Sequence, residues 1–302
     1  MWAIERKIIM MRILVLTLAF LSSGLVHAQK LKAYQIYNKK GDPVTFKDMT
    51  DRLAQKYDVV LFGEFHNNAI IHWLELQTAK TLYQKKGKKL IMGAEMFERD
   101  NQSEVDAYLS DSIDAAELEE RARLWNNFKT DYKPLLDFAK TNKLSFVATN
   151  IPRRDAQLVA KNGLDTLENL SREEKAYMAK MPIKFSLKTP GYKEMKTFMK
   201  EHADDHLMDF IKAQAVKDAT MAESIYKNRA RGELFLHFNG NYHSKDYGGI
   251  YWYLKKEKKF LQRLRTAVIT VAESSDPDLA IPKTVKSTEY IIVVPKDMTK
   301  TY

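Results

Sequence analysis

Two short segments of the form Gly-x-x-His stand where a chemically active site could form. The first is Gly63-Glu-Phe-His66 and the second is Gly240-Asn-Tyr-His243. Each follows a run of β-branched and aromatic residues, which is typical of a buried strand. The motifs therefore place an imidazole, and in the first motif also the carboxylate of Glu64, at the end of a strand. Ligands of open α/β sheets bind at that edge.

Two other predicted strands also end in polar side chains. Glu95 lies near the end of one, and Asn150 and Arg153 follow the other. Because parallel strands end at the same edge of a sheet, we expect these groups to share one cleft with the two motifs. The strand of Glu95 is expected beside that of Glu64, with the strand of His243 within two places of them. The expected cleft residues are Glu64, His66, Glu95, Arg153 and His243.

These residue types suit metal-dependent hydrolysis. His66, Glu95 and His243 could bind a divalent metal ion, because imidazole and carboxylate are its usual ligands in a chain without cysteine. A water activated there would be the nucleophile, and Arg153 would stabilise the oxyanion. A blander interpretation stays open, in which Glu64 caps the next helix, His66 is exposed, and the other polar groups satisfy loop backbone.

Tyrosines offer a second kind of site, because a phenolate can bind haem iron. The candidates are Tyr192, Tyr242, Tyr247 and Tyr251, in a chain whose 15 tyrosines are expected mostly to pack. A further pair, His202 and His206, shares a helix face. It lacks the glutamate of a zinc-protease helix, so an exposed polar face is the preferred interpretation. His72 is expected to point away from His66 on the same helix.

The composition excludes several function classes. The chain has 302 residues, of which 45% are hydrophobic and 29% charged, and it has no cysteine. Disulfides and thiolate metal sites are therefore excluded. No nucleophile elbow, P-loop or dinucleotide-binding glycine motif is found. The formal charge of +10 comes from scattered lysines and not from a basic stripe, so nucleic acid is not an expected partner.

Residues 1–28 have the pattern of a secretory signal peptide. A basic start precedes an apolar stretch at 13–21, and Val26-His-Ala28 forms a small-x-small cleavage signal. The apolar stretch is too short for a stable membrane span. We therefore expect export to the periplasm or the extracellular space. Without a cysteine to carry lipid, no membrane anchor is expected.

Strand and helix patterns alternate along the rest of the chain. This alternation favours an α/β fold with a mostly parallel β-sheet flanked by helices. Between 155 and 206 the strand pattern disappears, so we expect a small helical insertion domain within an α/β domain at 30–302. The predicted strands lie at 59–62, 89–97, 144–148, 234–238, 267–271 and 290–294, after a hairpin-like opening at 34–46.

With these residues placed, the chain resembles the ChaN family of haem-binding, iron-regulated secreted proteins. That family belongs with the Tiki, PrgY and erythromycin-esterase-like proteins. The resemblance covers about residues 50–272. It rests on the ordered segments Leu61–His66, Ala94–Asp100, Trp125, Asp131–Pro134, Asn150–Arg153, Lys217–Glu223 and Gly240–His243.

The resemblance implies a site of two Gly-x-x-His motifs, a glutamate and an arginine. These map to His66 with Glu64, and to His243, Glu95 and Arg153. It also implies haem bound through a tyrosine at the interface of a homodimer, although no motif selects the tyrosine. We therefore expect a secreted haem-binding protein that serves iron acquisition. The alternative is a metal-dependent hydrolase, a protease or esterase, acting on a small molecule or peptide.

Overall fold

Strands and helices alternate along the described chain. The computed structural model describes residues 2, 31–200, 207–256, 264–283, 285 and 288–302. The strands are β1 (Gln35–Asn38), β2 (Pro43–Val44), β3 (Val59–Glu64), β4 (Leu90–Glu98), β5 (Phe146–Asn150), β6 (Leu234–Gly240), β7 (Thr266–Ser274) and β8 (Tyr290–Pro295). The helices are α1 (Phe46–Lys56), α2 (Ala69–Lys86), α3 (Gln102–Leu109), α4 (Ala115–Arg121), α5 (Lys133–Thr141), α6 (Arg153–Asn162), α7 (Arg172–Ala176), α8 (Pro190–Lys200), α9 (Leu207–Lys227) and α10 (Gly249–Lys256).

Two of the sequence predictions concern residues outside this description. They are the signal peptide, except for residue 2, and the pair His202 and His206. All the elements named above lie in one unit, Ala33–Tyr302. No helix within the described ranges is both long and apolar enough to cross a bilayer.

The strands form one sheet in the order β2-β1-β8-β7-β3-β6-β4-β5. The six strands from β8 to β5 run parallel, and β1 pairs antiparallel with both β2 and β8. This confirms the predicted α/β fold with a mostly parallel sheet.

One detail of the predicted order is wrong. β6, which leads to His243, lies between β3 and β4, so the strand of Glu95 is not a neighbour of the strand of Glu64. All seven residues of β6 are buried, and the strand pairs on both sides. Its burial identifies β6 as a central strand. Which central strands are its neighbours depends on how the helices pack on the sheet, and the local sequence does not contain that information. The second motif therefore lies between Glu64 and Glu95.

Alternate residues of the strands enter two cores, one on each face of the sheet. On one face Phe62 and Phe238 pack with α2 and α5. On the other face Leu61 and Phe235 pack with α6, α9 and α10. Each large apolar side chain buried in this way contributes about 1.5–3 kcal/mol. The two helical layers thereby fix the edge at which the strands end.

The segment predicted as a helical insertion, 155–206, has no strand in its described part. Its first portion packs in the core on the α9 face of the sheet, through residues such as Val159 and Leu167. Its later portion forms a small separate cluster, in which Tyr192 packs with Leu207 and Ile211 of α9. α8 thereby reaches the same end of the sheet as the strand exits, where Met195 lines a cleft.

At the opposite end of the sheet, Asp58 joins the starts of three parallel strands. It precedes β3, and its carboxylate accepts hydrogen bonds from Arg265 Nε at 3.1 Å and Arg229 Nη2 at 2.9 Å. These arginines lie before β7 and β6. Burial by itself would raise the pKa of Asp58, but the bonds from Arg265 and the charge of Arg229 hold it below its usual value.

We predict that Asp58→Asn lowers the free energy of unfolding by about 1–3 kcal/mol, because the mostly buried Arg229 loses its counter-charge. The folded-state pKa of Asp58 is lowered, so the wild-type contribution is present above about pH 4 and is lost as the pH falls. The stability of the Asp58→Asn variant should therefore fall less than that of the wild type between pH 7 and pH 3.5. Urea unfolding at pH 7 and pH 3.5 measures both effects. Asp51→Asn is the control, since Asp51 pairs with lysines on the surface, and equal losses in both variants would contradict the prediction.

Candidate functional site

One cleft at the carboxyl ends of the parallel strands contains all five side chains expected to meet there. It has a volume of about 540 Å³ and lies at the ends of β3, β4, β5 and β6. Helices α8 and α9 contribute Met195, Gln214 and Lys217 to its lining. The five side chains are Glu64, His66, Glu95, Arg153 and His243.

The two Gly-x-x-His motifs are in direct contact on neighbouring strands. A Cβ atom on Gly63 would lie 2.6 Å from Oδ1 of Asn241 in the second motif. A Cβ atom on Gly240 would lie 2.7 Å from Nε2 of His66 in the first motif. Asn241 is fixed there, because its side chain donates to the carbonyl of Val271 and accepts from its N–H. A side chain at Gly63 would also meet the carbonyl oxygen of Ile269 in β7 at 2.9 Å, so the steric requirement for glycine is stricter at Gly63 than at Gly240, where only side-chain atoms are met.

In the first motif, Glu64 holds His66 and does not cap α2. The cap is Asn68, whose Oδ1 accepts from the N–H of Ile71. Glu64 Oε1 lies 2.5 Å from Nδ1 of His66 and accepts a hydrogen bond from the hydroxyl of Tyr132 at 2.9 Å. Burial would raise the pKa of Glu64 and lower that of His66, but the bond between them reverses both shifts. The fold therefore favours the charged form of both groups.

In the second motif, His243 lies between two buried carboxylates. Its Nδ1 is 2.6 Å from Oδ1 of Asp218, and its Nε2 is 3.2 Å from Oε1 of Glu95. Burial would lower the pKa of His243, but the charges of Glu95 and Asp218 raise it to about 10. Burial would raise the pKa of Glu95, but the nearby His243 holds it well below its usual range. His243 is therefore a cation at neutral pH, with both nitrogens donating.

Two acids important to this region, Asp218 and Glu75, were missed by the sequence predictions. Asp218 orients His243 and also accepts a hydrogen bond from the Tyr192 hydroxyl at 2.5 Å. Glu75 lies 3.0 Å from Nδ1 of His72. Each acid lies on the buried face of its helix among apolar residues. A carboxylate on an apolar helix face is the sequence signal that could have identified them.

The four candidate tyrosines differ in their surroundings. Tyr242 lines the cleft and is 55% exposed, with Lys245 Nζ 4.3 Å from the centre of its ring. Tyr192 is buried beneath His243, where its hydroxyl is engaged by Asp218. Tyr247 and Tyr251 contact each other outside the lining of the cleft, with ring centroids 4.7 Å apart. Tyr242 is thus the candidate whose position suits a ligand in the cleft.

The expected metal ligands His66, Glu95 and His243 all line the cleft. Their nitrogen and oxygen atoms are farther apart than those of a second group of three residues. In the part of the chain that the structure describes, one group of three has its ligand atoms within 4.8 Å of one another. That group is Glu64, His72 and Glu75, behind the cleft. Both nitrogens of His243 already face carboxylates, so neither offers a free lone pair.

The lining of the cleft suits a flat ligand that carries acidic groups. Trp125 packs edge-on against His66, with ring centroids 4.8 Å apart, and Phe65 and Tyr242 add aromatic surface. Arg153 and Lys217 supply positive charge, and cations of this kind bind carboxylates strongly. The residues present therefore fit a porphyrin with carboxylate side chains, to whose iron Tyr242 would offer its oxygen.

Comparison with known proteins gives a family match. No curated protein matches the chain. A family model described as haem-binding uptake, Tiki superfamily, ChaN, matches residues 49–254.

Several solved structures match the chain, and one of them shares its fold. It is ChaN of Campylobacter jejuni, whose structure is described as showing cofacial haem binding. It is 18% identical to this chain, the match covers 87% of this chain and 97% of that one, and the TM-score is 0.65. The type III effector HopBA1 is 16% identical over 82% and 91% of the two chains, with a TM-score of 0.43. A mutant of the erythromycin esterase EreC is 12% identical over 87% and 83%, with a TM-score of 0.44.

We predict that His243 remains protonated at pH 8, because two carboxylates face its ring. Its pKa rises from an ordinary value of 6.5 to about 10 in the folded protein. This contact therefore stabilises the fold fully below pH 6.5, and its contribution is lost as the pH rises toward 10. A long-range ¹⁵N–¹H spectrum of histidine-labelled protein should show the imidazolium pattern. Asp218→Asn should lower the pKa of His243, and a neutral ring in the wild type at pH 8 would contradict the prediction.

Proposed function

Because the chain belongs to the ChaN family of haem-binding uptake proteins in the Tiki superfamily, we propose that it binds haem at this cleft. The observation that carries the proposal is Tyr242, an exposed tyrosine among aromatic and cationic side chains at the ends of the parallel strands. Bound haem would supply an iron centre and two carboxylates. Tyr242 would hold the iron as a phenolate, and Arg153 and Lys217 would attract the carboxylates.

The second motif has a supporting role in this proposal. Tyr242 is the residue before His243, and His243 is anchored on both sides by Glu95 and Asp218. A rigid anchor beside an exposed ligand limits the conformational entropy that is lost on binding. The buried charges therefore position the tyrosine, and they do not need to touch haem themselves.

The proposal extends to export and assembly. The predicted signal peptide at residues 1–28 supports a site of action in the periplasm or outside the cell, where haem would be taken up for its iron. More than half of the Tyr242 side chain is exposed, which leaves it accessible to a second copy of the chain. This accessibility fits haem held between two protomers.

The alternative of a metal-dependent hydrolase has less support from the cleft. His243 and Glu95 are engaged with each other, and His66 is engaged with Glu64. A metal ion bound by these residues would have to displace a proton from His243 and separate it from Glu95, whereas the contact of His66 with Glu64 uses Nδ1 and would not have to break. Arg153 remains available in the lining for an anionic ligand under either function.

We predict that hemin titration of the wild type gives a saturable, red-shifted Soret band. Tyr242→Phe keeps the ring and its contact with Lys245 but removes the oxygen, so it should weaken binding by at least about tenfold, which is 1.4 kcal/mol. Tyr251→Phe is the matched control and should bind like the wild type, because Tyr251 lies outside the cleft. The absence of a saturable shift in the wild type, or equal binding by Tyr242→Phe, would contradict the proposal.

A further inference from the structure

A second cluster of ionisable side chains lies behind the cleft and takes no part in the proposed haem site. It is formed by Glu64 at the end of β3, His72 and Glu75 on α2, and Asp131 before α5. Each of these residues is no more than 6% exposed. Burying several acids around one imidazole lowers the stability of the fold unless their charges are compensated within the cluster.

The two glutamates of the cluster cannot satisfy each other while both are ionised. Oε2 of Glu64 and Oε1 of Glu75 are buried and have no hydrogen-bond donor within the described part of the chain. One ligand atom from each of Glu64, His72 and Glu75 lies within 4.8 Å of the other two, so the two carboxyl groups are close neighbours. Carboxylate oxygens only accept hydrogen bonds. A proton or a metal cation is therefore required between the two side chains.

The surroundings of His72 fix which of its nitrogens carries hydrogen. Nε2 lies 3.1 Å from the carbonyl oxygen of His66 and 3.4 Å from Oδ2 of Asp131, and both of these atoms are acceptors. Nε2 must therefore be the N–H. In the neutral ring Nδ1 then presents a lone pair, and it faces Oε2 of Glu75 at 3.0 Å and Oε2 of Glu64 at 3.8 Å. One lone pair and two carboxylates thus converge on the same volume.

We infer that Glu64, His72 and Glu75 form a buried binding site for one divalent cation of the Zn²⁺ type. Four-coordinate zinc with bonds of about 2.0–2.1 Å places neighbouring ligand atoms about 3.3 Å apart. The separations of 3.0 and 3.8 Å at Nδ1 of His72 bracket that value. Two carboxylates neutralise a 2+ ion, and imidazole nitrogen and carboxylate oxygen are both ligand atoms that zinc accepts.

The residues around the ligands support the same site. A metal-binding histidine characteristically donates its other N–H to a carboxylate or a carbonyl, which fixes the ring. His72 Nε2 donates to the carbonyl oxygen of His66 at 3.1 Å, and Asp131 Oδ2 lies 3.4 Å from the same nitrogen. Asp131 is held in turn by Asn127 Nδ2 at 2.7 Å and by Thr301 Oγ1 at 2.9 Å.

The site would be linked to the cleft through the two oxygens of one carboxylate. Oε1 of Glu64 holds His66 and Tyr132 on the cleft side, and Oε2 faces His72 and Glu75 behind it. A cation bound behind Glu64 would fix the orientation of this carboxylate, and with it the position of His66. The cation would be structural, since His72 and Glu75 do not line the cleft where a ligand would bind.

Metal binding by the full chain tests the inference. Protein stripped with a chelator is dialysed against ZnCl₂, and bound zinc is measured by elemental analysis. The wild type should bind one equivalent. Glu75→Gln keeps the size of the side chain but weakens the ligand, so it should lower the zinc affinity at least tenfold. Glu95→Gln makes the same change in the cleft and is the matched control, which should still bind one equivalent.

Each outcome decides the inference. No zinc binding by the wild type would overturn it and would assign a shared proton to Glu64 and Glu75. Loss of zinc in Glu95→Gln with retention in Glu75→Gln would overturn it in favour of the cleft. If Glu75→Gln does not fold, His72→Gln tests the same ligand set. Zinc should also raise the Tm of the wild type and leave that of the His72 variant unchanged. A failure of haem binding would leave this result intact.

Discussion

The ends of β3 and β6 approach each other so closely that a side chain at either glycine would collide with the other motif. Asn241 fills the space above Gly63, and His66 fills the space above Gly240. Neither glycine has a positive φ angle, so the requirement is steric and does not come from backbone conformation. The remaining site residues are arranged around this contact. His66 is brought toward Gly240, where the backbone N–H donates to Glu95, and Glu95 in turn faces His243.

The contact between the two motifs buries several ionisable groups together, and their charges must therefore compensate one another. An isolated charge in this environment would be very costly, and a paired charge is tolerated only when its hydrogen bonds are complete. His66 compensates Glu64, while His243 shares one positive charge between Glu95 and Asp218, and burial leaves the pKa of Asp218 above its usual value. The pairs are formed without any ligand. Aromatic rings and the cations Arg153 and Lys217 remain in the cleft to contact a ligand, and the charge pairs provide a rigid base.

The sequence predicted those parts of the structure that depend on local patterns. Buried strands and the Gly-x-x-His endings are visible as short runs, and parallel pairing then brings Glu64, Glu95 and His243 to one edge. The strand of Glu95 was wrongly predicted to neighbour that of Glu64, because the order of the central strands depends on helix packing across the whole sheet. Asp218 and Glu75 were missed for a similar reason, since each lies inside a long helix far along the chain from its partner. Four tyrosines were equivalent in the sequence, and their burial and partners now distinguish Tyr242.

A double-mutant cycle between Gly240→Ala and His66→Ala measures the steric contact between the two motifs directly. Overpacking by one methyl group against the His66 ring should cost about 1–3 kcal/mol in the wild-type background. In the His66→Ala background the ring is absent, so the same substitution should cost less by at least about 1 kcal/mol. Urea unfolding of the four proteins gives this coupling free energy. An equal cost of Gly240→Ala in both backgrounds would contradict the account.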